Sequence, residues 1–286
     1  MEVVIASGKG GVGKSMLASS LLLLFSKELR VVGCDCDVDA PNLGIWLGIR
    51  EYDESERILT SEKAFIEEKL CTTCGKCMSA CRFGAISKEG DKFKINPFLC
   101  EGCGVCKLVC PSNAIRVREV KGAEIKVNKS KYNFPVIIGQ LDPGESNSGK
   151  VVEELRKRLK SFDYDLAILD APAGIGCPVI ASIRGSNFSI LVTEPTPTGL
   201  ADLERILKVV EYFKLPYGIV INKWDVDPKR SKEIEAKFSS RILGKIPFDE
   251  EVVKSLINMK PVITSESEAS REIRNIFKRL KEVLNL

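Results

Sequence analysis

Eight residues near the start of the chain, Gly8-Lys9-Gly10-Gly11-Val12-Gly13-Lys14-Ser15, limit most strongly what it can fold into. Two glycines five apart followed by Lys and Ser spell a phosphate-binding loop. In such a loop backbone N–H groups close round a triphosphate, the lysine reaches the β- and γ-phosphates and the hydroxyl ligates Mg²⁺. The loop needs a buried strand before it and a helix after it, with the helix N-terminus facing the anion. Both are legible: residues 2–7 read as an apolar strand and residues 14–29 as a helix. Gly8, Lys9, Gly10, Gly11, Val12, Gly13, Lys14 and Ser15 are therefore the expected nucleotide contacts, with Lys14 catalytic and Ser15 a Mg²⁺ ligand.

Lys9, directly after the first glycine, gives the loop a form that resembles the deviant loop of the MinD/ParA, Mrp and nitrogenase iron protein group. That resemblance implies a homodimer formed on ATP binding, in which Lys9 crosses to the partner's nucleotide and takes part in catalysis. The next apolar run, residues 30–35, ends by delivering Asp35, Asp37 and Asp39 toward the loop, at the sheet edge where α/β folds hold ligands. Residues 35–43 resemble switch I of the same group, which implies that Asp37 positions or activates the attacking water. Residues 165–170 form another buried run with Asp170 at its exit, where a carboxylate would share Mg²⁺ with Ser15. Asp170-Ala171-Pro172-Ala173-Gly174 resembles switch II.

From about residue 61 the character changes. Eight of the 11 cysteines fall between residues 71 and 110, as Cys71-x₂-Cys74-x₂-Cys77-x₃-Cys81 and Cys100-x₂-Cys103-x₂-Cys106-x₃-Cys110-Pro111. These are two copies of the bacterial ferredoxin run, whose fourth cysteine serves the other cluster. One 4Fe–4S cluster is then expected on Cys71, Cys74, Cys77 and Cys110, and a second on Cys81, Cys100, Cys103 and Cys106. Arg82 stands where a proline is usual, without removing a ligand. Phe83-Gly84-Ala85-Ile86 against Ser112-Asn113-Ala114-Ile115 extends the repeat and suggests an internal duplication. Residues 61–119 resemble a two-cluster ferredoxin.

Nucleotide-binding character then resumes, which makes the ferredoxin-like segment an insertion. Residues 134–139, 189–192, 217–221 and 242–246 read as core strands, and Ser146 to Lys150 as a polar helix start, with Lys150 as a solvated residue. Asn222-Lys223-Trp224-Asp225 spells the pattern by which GTPases read guanine, yet the resembled group uses ATP, so Asn222, Asp225, Pro247 and Phe248 are expected around adenine. Cys177 lies seven residues after Asp170, a distance at which the nitrogenase iron protein carries a cluster ligand. It is a candidate redox switch, against the plainer reading of a small buried residue.

The expected fold is a doubly wound, mostly parallel α/β P-loop NTPase, residues 1–60 and 120–286, interrupted by an α+β ferredoxin-like domain at 61–119. Across nearly the whole chain this resembles the MinD-superfamily P-loop ATPases with an inserted ferredoxin domain. The resemblance implies ATP hydrolysis coupled to electron transfer toward a redox partner. The alternatives are ATP-controlled delivery of clusters to apo-proteins and a nonenzymatic module that recruits a redox partner. A net charge of +4 with interspersed signs argues against nucleic acid as a partner. The run Leu21 to Phe25 is too short to span a bilayer and the periodic face of the last helix reads as core, so membrane association is not expected and the protein reads as cytoplasmic.

Overall fold

The computed structural model describes residues 1–129 and 131–286. In chain order β1 (Glu2–Ser7) leads to α1 (Lys14–Phe25), β2 (Val31–Asp35), α2 (Leu43–Trp46), β3 (Glu54–Ile66) and α3 (Lys76–Ala80). A hairpin of β4 (Ile86–Glu89) and β5 (Lys92–Ile95) precedes α4 (Val105–Leu108), β6 (Ile115–Asn128), β7 (Val136–Leu141) and α5 (Ser148–Leu159). Strands and helices then alternate through β8 (Leu166–Ala173), α6 (Cys177–Ile183), β9 (Phe188–Thr193), α7 (Gly199–Tyr212), β10 (Tyr217–Asn222), α8 (Pro228–Phe238) and β11 (Ile242–Ile246). The chain closes with α9 (Glu250–Ile257) and α10 (Glu268–Leu284).

Two compact units result, and the first comprises Met1–Ser55, Ile125–Gln140 and Ser148–Leu286. Its strands stand in the order β11-β10-β9-β1-β8-β2-β7. Every pairing from β11 to β7 is parallel. Parallel strands are joined by helices that cover both faces, so they must be apolar throughout, and β2 and β9 are buried from end to end. The chain grows from β1 toward β2 and β7 on one side and through β9 to β11 on the other. That reversal opens a crevice at the carboxyl ends of the central strands. Leu17, Leu21, Leu22 and Phe25 of α1 share one core with Ile5, Leu166 and, from α10, Ile273, Ile276 and Leu280. Phe25 meets Phe277 edge-on at 4.7 Å. The periodic face of α10 is therefore core, with Val283 left outside it. Among the described residues no helix is long and apolar enough to cross a membrane.

The second unit comprises Glu56–Glu124 and Leu141–Asn147. It extends past the expected limits of 61 and 119 because β3 and β6 run on as long unbroken strands. Residues 141–147 are tied to it by side chains: Glu145 pairs with Lys63 at 3.3 Å and Arg57 donates to Asp142 at 2.8 Å. Inside this unit the backbone repeats itself. Glu67 N–H donates to the Ala114 carbonyl and Asn96 N–H to the Ala85 carbonyl, both at 2.7 Å. Each donor stands four residues before a cysteine run and each acceptor four residues after the other run. The two runs thus exchange ends. Only a small core supports them, made of Ala64, Ala85, Ile86, Phe93 and Ile115 together with Cys77, Cys100 and Cys106.

Candidate functional site

The phosphate loop leaves β1 and turns into α1 at Gly13, whose φ of 97° favours glycine. Gly8 is required for space, since a Cβ there would come 2.0 Å from the Asp202 carbonyl oxygen. Asn222, at the end of β10, donates from Nδ2 to the Val12 carbonyl at 2.8 Å and so braces the loop. Lys14 is buried and its Nζ donates to Ser7 Oγ at 3.0 Å.

Asp35 and Asp170 are register partners on neighbouring strands, and both are fully buried. Asp35 accepts hydrogen bonds from the N–H groups of Asp37, at 3.1 Å, and Leu43, at 2.8 Å. Its work is to hold the segment that carries Asp37, while Asp39 at the far end is exposed. The three acidic residues that the sequence delivers together therefore separate into different roles. Burial raises the Asp37 carboxyl, with the nearby Lys14 charge opposing. Burial and then the charge of Asp170 push Asp35 well above the carboxylate range, against the two backbone donors. Burial raises Asp170 to about 6, with Lys14 and Ser15 acting the other way. Ser15 lies near enough to favour the charged form, yet among the described residues neither buried oxygen of Asp170 has a partner at hydrogen-bond geometry. Orphaned buried acceptors beside a hydroxyl are a donor set suited to a divalent cation and its waters.

Lys9 folds back on its own subunit. Its Nζ donates to Thr196 Oγ1 at 2.9 Å and pairs with Glu194 at 3.3 Å. Glu194 pairs also with Lys223 at 2.6 Å. Sequence reasoning missed Glu194 as the partner of Lys9. Its signal is a carboxylate at the exit of a core strand, here β9, in the manner of Asp35 and Asp170. Of the residues expected around the base, Asp225 accepts from the Phe248 N–H at 2.7 Å, Pro247 is buried and Phe248 half-exposed. Cys177 is exposed at the first turn of α6, backed by Gly149, where an added Cβ would come 3.2 Å from its own. Lys150 is exposed on α5. Cys34 and Cys36 are buried with their sulfurs 3.7 Å apart.

In the second unit the eight run cysteines surround two cavities. One, of about 20 Å³, is lined by Cys71, Cys74, Cys77 and Cys110, and the other, also of about 20 Å³, by Cys81, Cys100, Cys103 and Cys106. Each cavity takes three cysteines of one run and the last of the other. Among the described residues no group of three or more His, Cys, Asp or Glu side chains converges to hold a single metal ion. Four thiols round each cavity are the donor set that an iron–sulfur cluster uses. Burial raises the Cys77 and Cys106 thiols. For Cys110 burial is outweighed by hydrogen bonds, first from the Ser112 hydroxyl and then from backbone N–H groups including Ala114, so that its thiol is lowered.

The family described as the CobQ/CobB/MinD/ParA nucleotide binding domain matches residues 3–262. An uncharacterized protein of Methanocaldococcus jannaschii is 38% identical over 284 residues, covering 99% of this chain and 98% of that protein. The septum site-determining protein MinD of Bacillus subtilis is 23% identical over 290 residues, covering 97% of this chain and 88% of MinD. Among solved structures, MinD of Pyrococcus horikoshii complexed with Mg-ADP superposes with a TM-score of 0.62 at 18% identity, covering 99% of this chain and 96% of that one.

Proposed function

The chain belongs to the CobQ/CobB/MinD/ParA nucleotide-binding domain family, and on that premise we propose that it is an ATPase whose nucleotide cycle, run in a homodimer, is coupled to electron transfer through two 4Fe–4S clusters. The observation that carries this reading is the partition of eight cysteines into two sets of four, each completed by the last cysteine of the other run. Clusters held there would take up and release single electrons. The chain's own residues do the rest. Lys14 and the N–H groups of the loop bind the triphosphate, and Ser15 and Asp170 hold Mg²⁺. Asp37 orients the attacking water, and Lys9 leaves Glu194 and Thr196 to meet charge that develops on the partner's phosphates. Asn222, Asp225, Pro247 and Phe248 border the base. Adenine is favoured over guanine by the resemblance to the ATP-using group, while Asp225 accepts from the Phe248 N–H and keeps further acceptor sites.

A second reading has an observation of its own: Cys74 and Cys103, one in each cavity, are exposed. That exposure would let a cluster pass to an apo-protein acceptor under nucleotide control. The test is anaerobic purification followed by metal analysis and nucleotide competition. About eight irons per chain, with ATP displacing GTP at the lower concentration, is the expected result. Stoichiometric zinc without iron after reconstitution would overturn the redox half, and preference for GTP the base assignment. Clusters that leave the chain for an apo-protein on ATP addition would select the carrier reading.

A further inference from the structure

The internal duplication of the second unit places two unlike side chains at one backbone position. Phe83 and Ser112 each stand two residues after the last cysteine of a run. The backbone around them matches: Gly84 N–H donates to the Cys81 carbonyl at 3.4 Å and Asn113 N–H to the Cys110 carbonyl at 3.2 Å. Gly84 and Asn113 both adopt positive φ, 62° and 52°. Ser112 lines the cavity of Cys71, Cys74, Cys77 and Cys110, while Phe83 lines that of Cys81, Cys100, Cys103 and Cys106.

The chemical consequence lies in what reaches the sulfurs. Cys110 Sγ accepts from Ala114 N–H at 3.3 Å and has Ser112 Oγ at 3.6 Å. In the other cavity Cys100 Sγ accepts from Ala64 N–H at 3.4 Å. Among the described residues no hydrogen bond reaches Cys81 Sγ, the counterpart of Cys110. Reduction adds one negative charge to a cluster and its thiolates. A donor aimed at a ligand sulfur stabilises that charge, more so where water is excluded, and so makes the cluster easier to reduce. A phenyl ring offers no donor.

We propose that Ser112 makes the cavity completed by Cys110 the site of the more easily reduced cluster, and that Phe83 keeps the cavity completed by Cys81 the less easily reduced. The inference rests on the electron-transfer reading above. An electron from a low-potential one-electron donor, which is oxidised in giving it, settles at the Cys110 side and leaves from there to an acceptor. No covalent bond in the protein changes.

The experiment is anaerobic potentiometry of the full chain followed by electron paramagnetic resonance, with dithionite as the reductant. Wild type should show two resolved one-electron steps. Ser112→Ala should move the more easily reduced step to lower potential, leave the other in place and leave iron content unchanged, and Ser112→Thr should restore it. Phe83→Ser should raise the less easily reduced step, narrowing the gap from the opposite side. Because Phe83→Ser removes a ring and could disturb folding, the Ser112 pair decides the matter by itself. Full iron content with a single wild-type step, or with both steps unmoved in Ser112→Ala, overturns the proposal. A chain that binds no iron defeats the electron-transfer reading instead, and the two failures are told apart by the metal analysis.

Discussion

The first unit closes around an apolar core that runs from the sheet through α1 to α10, whereas Cys77, Cys100 and Cys106 belong to the small core cluster of the second unit's described residues. A nucleotide site made of strand ends and a helix N-terminus exists before its ligand arrives, because the core that shapes it needs no ligand. A small unit whose core is partly thiol depends on what fills its cavities, and the binding energy of that filling is folding energy. The contrast teaches that the two sites should fail independently.

The largest expected effect is on the second unit. Stripping iron with a strong chelator should abolish amide-exchange protection across residues 56–124 while ATP still binds the first unit. Retention of that protection in iron-free protein would break the comparison. Cys103→Ser should reduce iron from about eight to about four per chain, since one four-iron site is lost. The reverse experiment is Lys14→Ala, which removes the lysine of the phosphate cradle. Calorimetry should find ATP binding abolished and metal analysis should find iron unchanged.

Smaller effects separate binding from hydrolysis within the first unit. Asp37→Ala and Lys9→Ala should lower kcat by about 10²–10³ while changing ATP affinity only a few-fold, since both act on charge and water in the transition state. Wild-type turnover in Asp37→Ala would remove that residue from its role.

The smallest predicted change is one of stability. Folded Asp170 keeps its proton up to about pH 6, whereas an ordinary aspartate releases it near 3.8. Between these values the native state holds more protons than the unfolded chain, so the contribution of this group to stability falls as pH rises from about 4 to about 6 and stays low above. A change of that size corresponds to about 3 kcal/mol at most. Asp170→Asn should therefore stabilise the ligand-free first unit by about 1–3 kcal/mol near neutral pH, and much less near pH 4, while losing Mg²⁺-dependent hydrolysis. Urea denaturation at both pH values checks it, and equal stability of variant and wild type near neutral pH would contradict it.

How much of this was legible in the sequence follows the same division. Glycine spacing in residues 8–15 is demanded by backbone geometry, so the loop, its flanking strand and its helix can be read without a structure. Cysteine spacing is equally constraining, and each cavity is lined by three cysteines of one run and the last of the other. What escaped depends on where a side chain turns. Asp35 and Asp37 look alike in sequence, yet Asp35 ends β2 and is buried as a brace, while the chain has left the strand by Asp37, whose carboxyl lies near Lys14. Glu194 gains meaning only because Lys9 and Lys223 both fold onto it. Asn222 reads as a base contact, and the fold adds a bond to Val12 that no spacing announces. Composition changes near residues 61 and 119, but it does not register that β3 and β6 continue through those points.

Coupling between the nucleotide and the clusters is the central claim, and coupling is a difference of free energy between two ligand states. The direct measurement is the reduction potential of the bound clusters in the iron-loaded wild type, taken once with ADP and once with a nonhydrolysable ATP analogue. A shift of at least one of the two steps between the nucleotide states is the predicted result. Identical potentials in both states, with nucleotide binding demonstrated in the same samples, would contradict it.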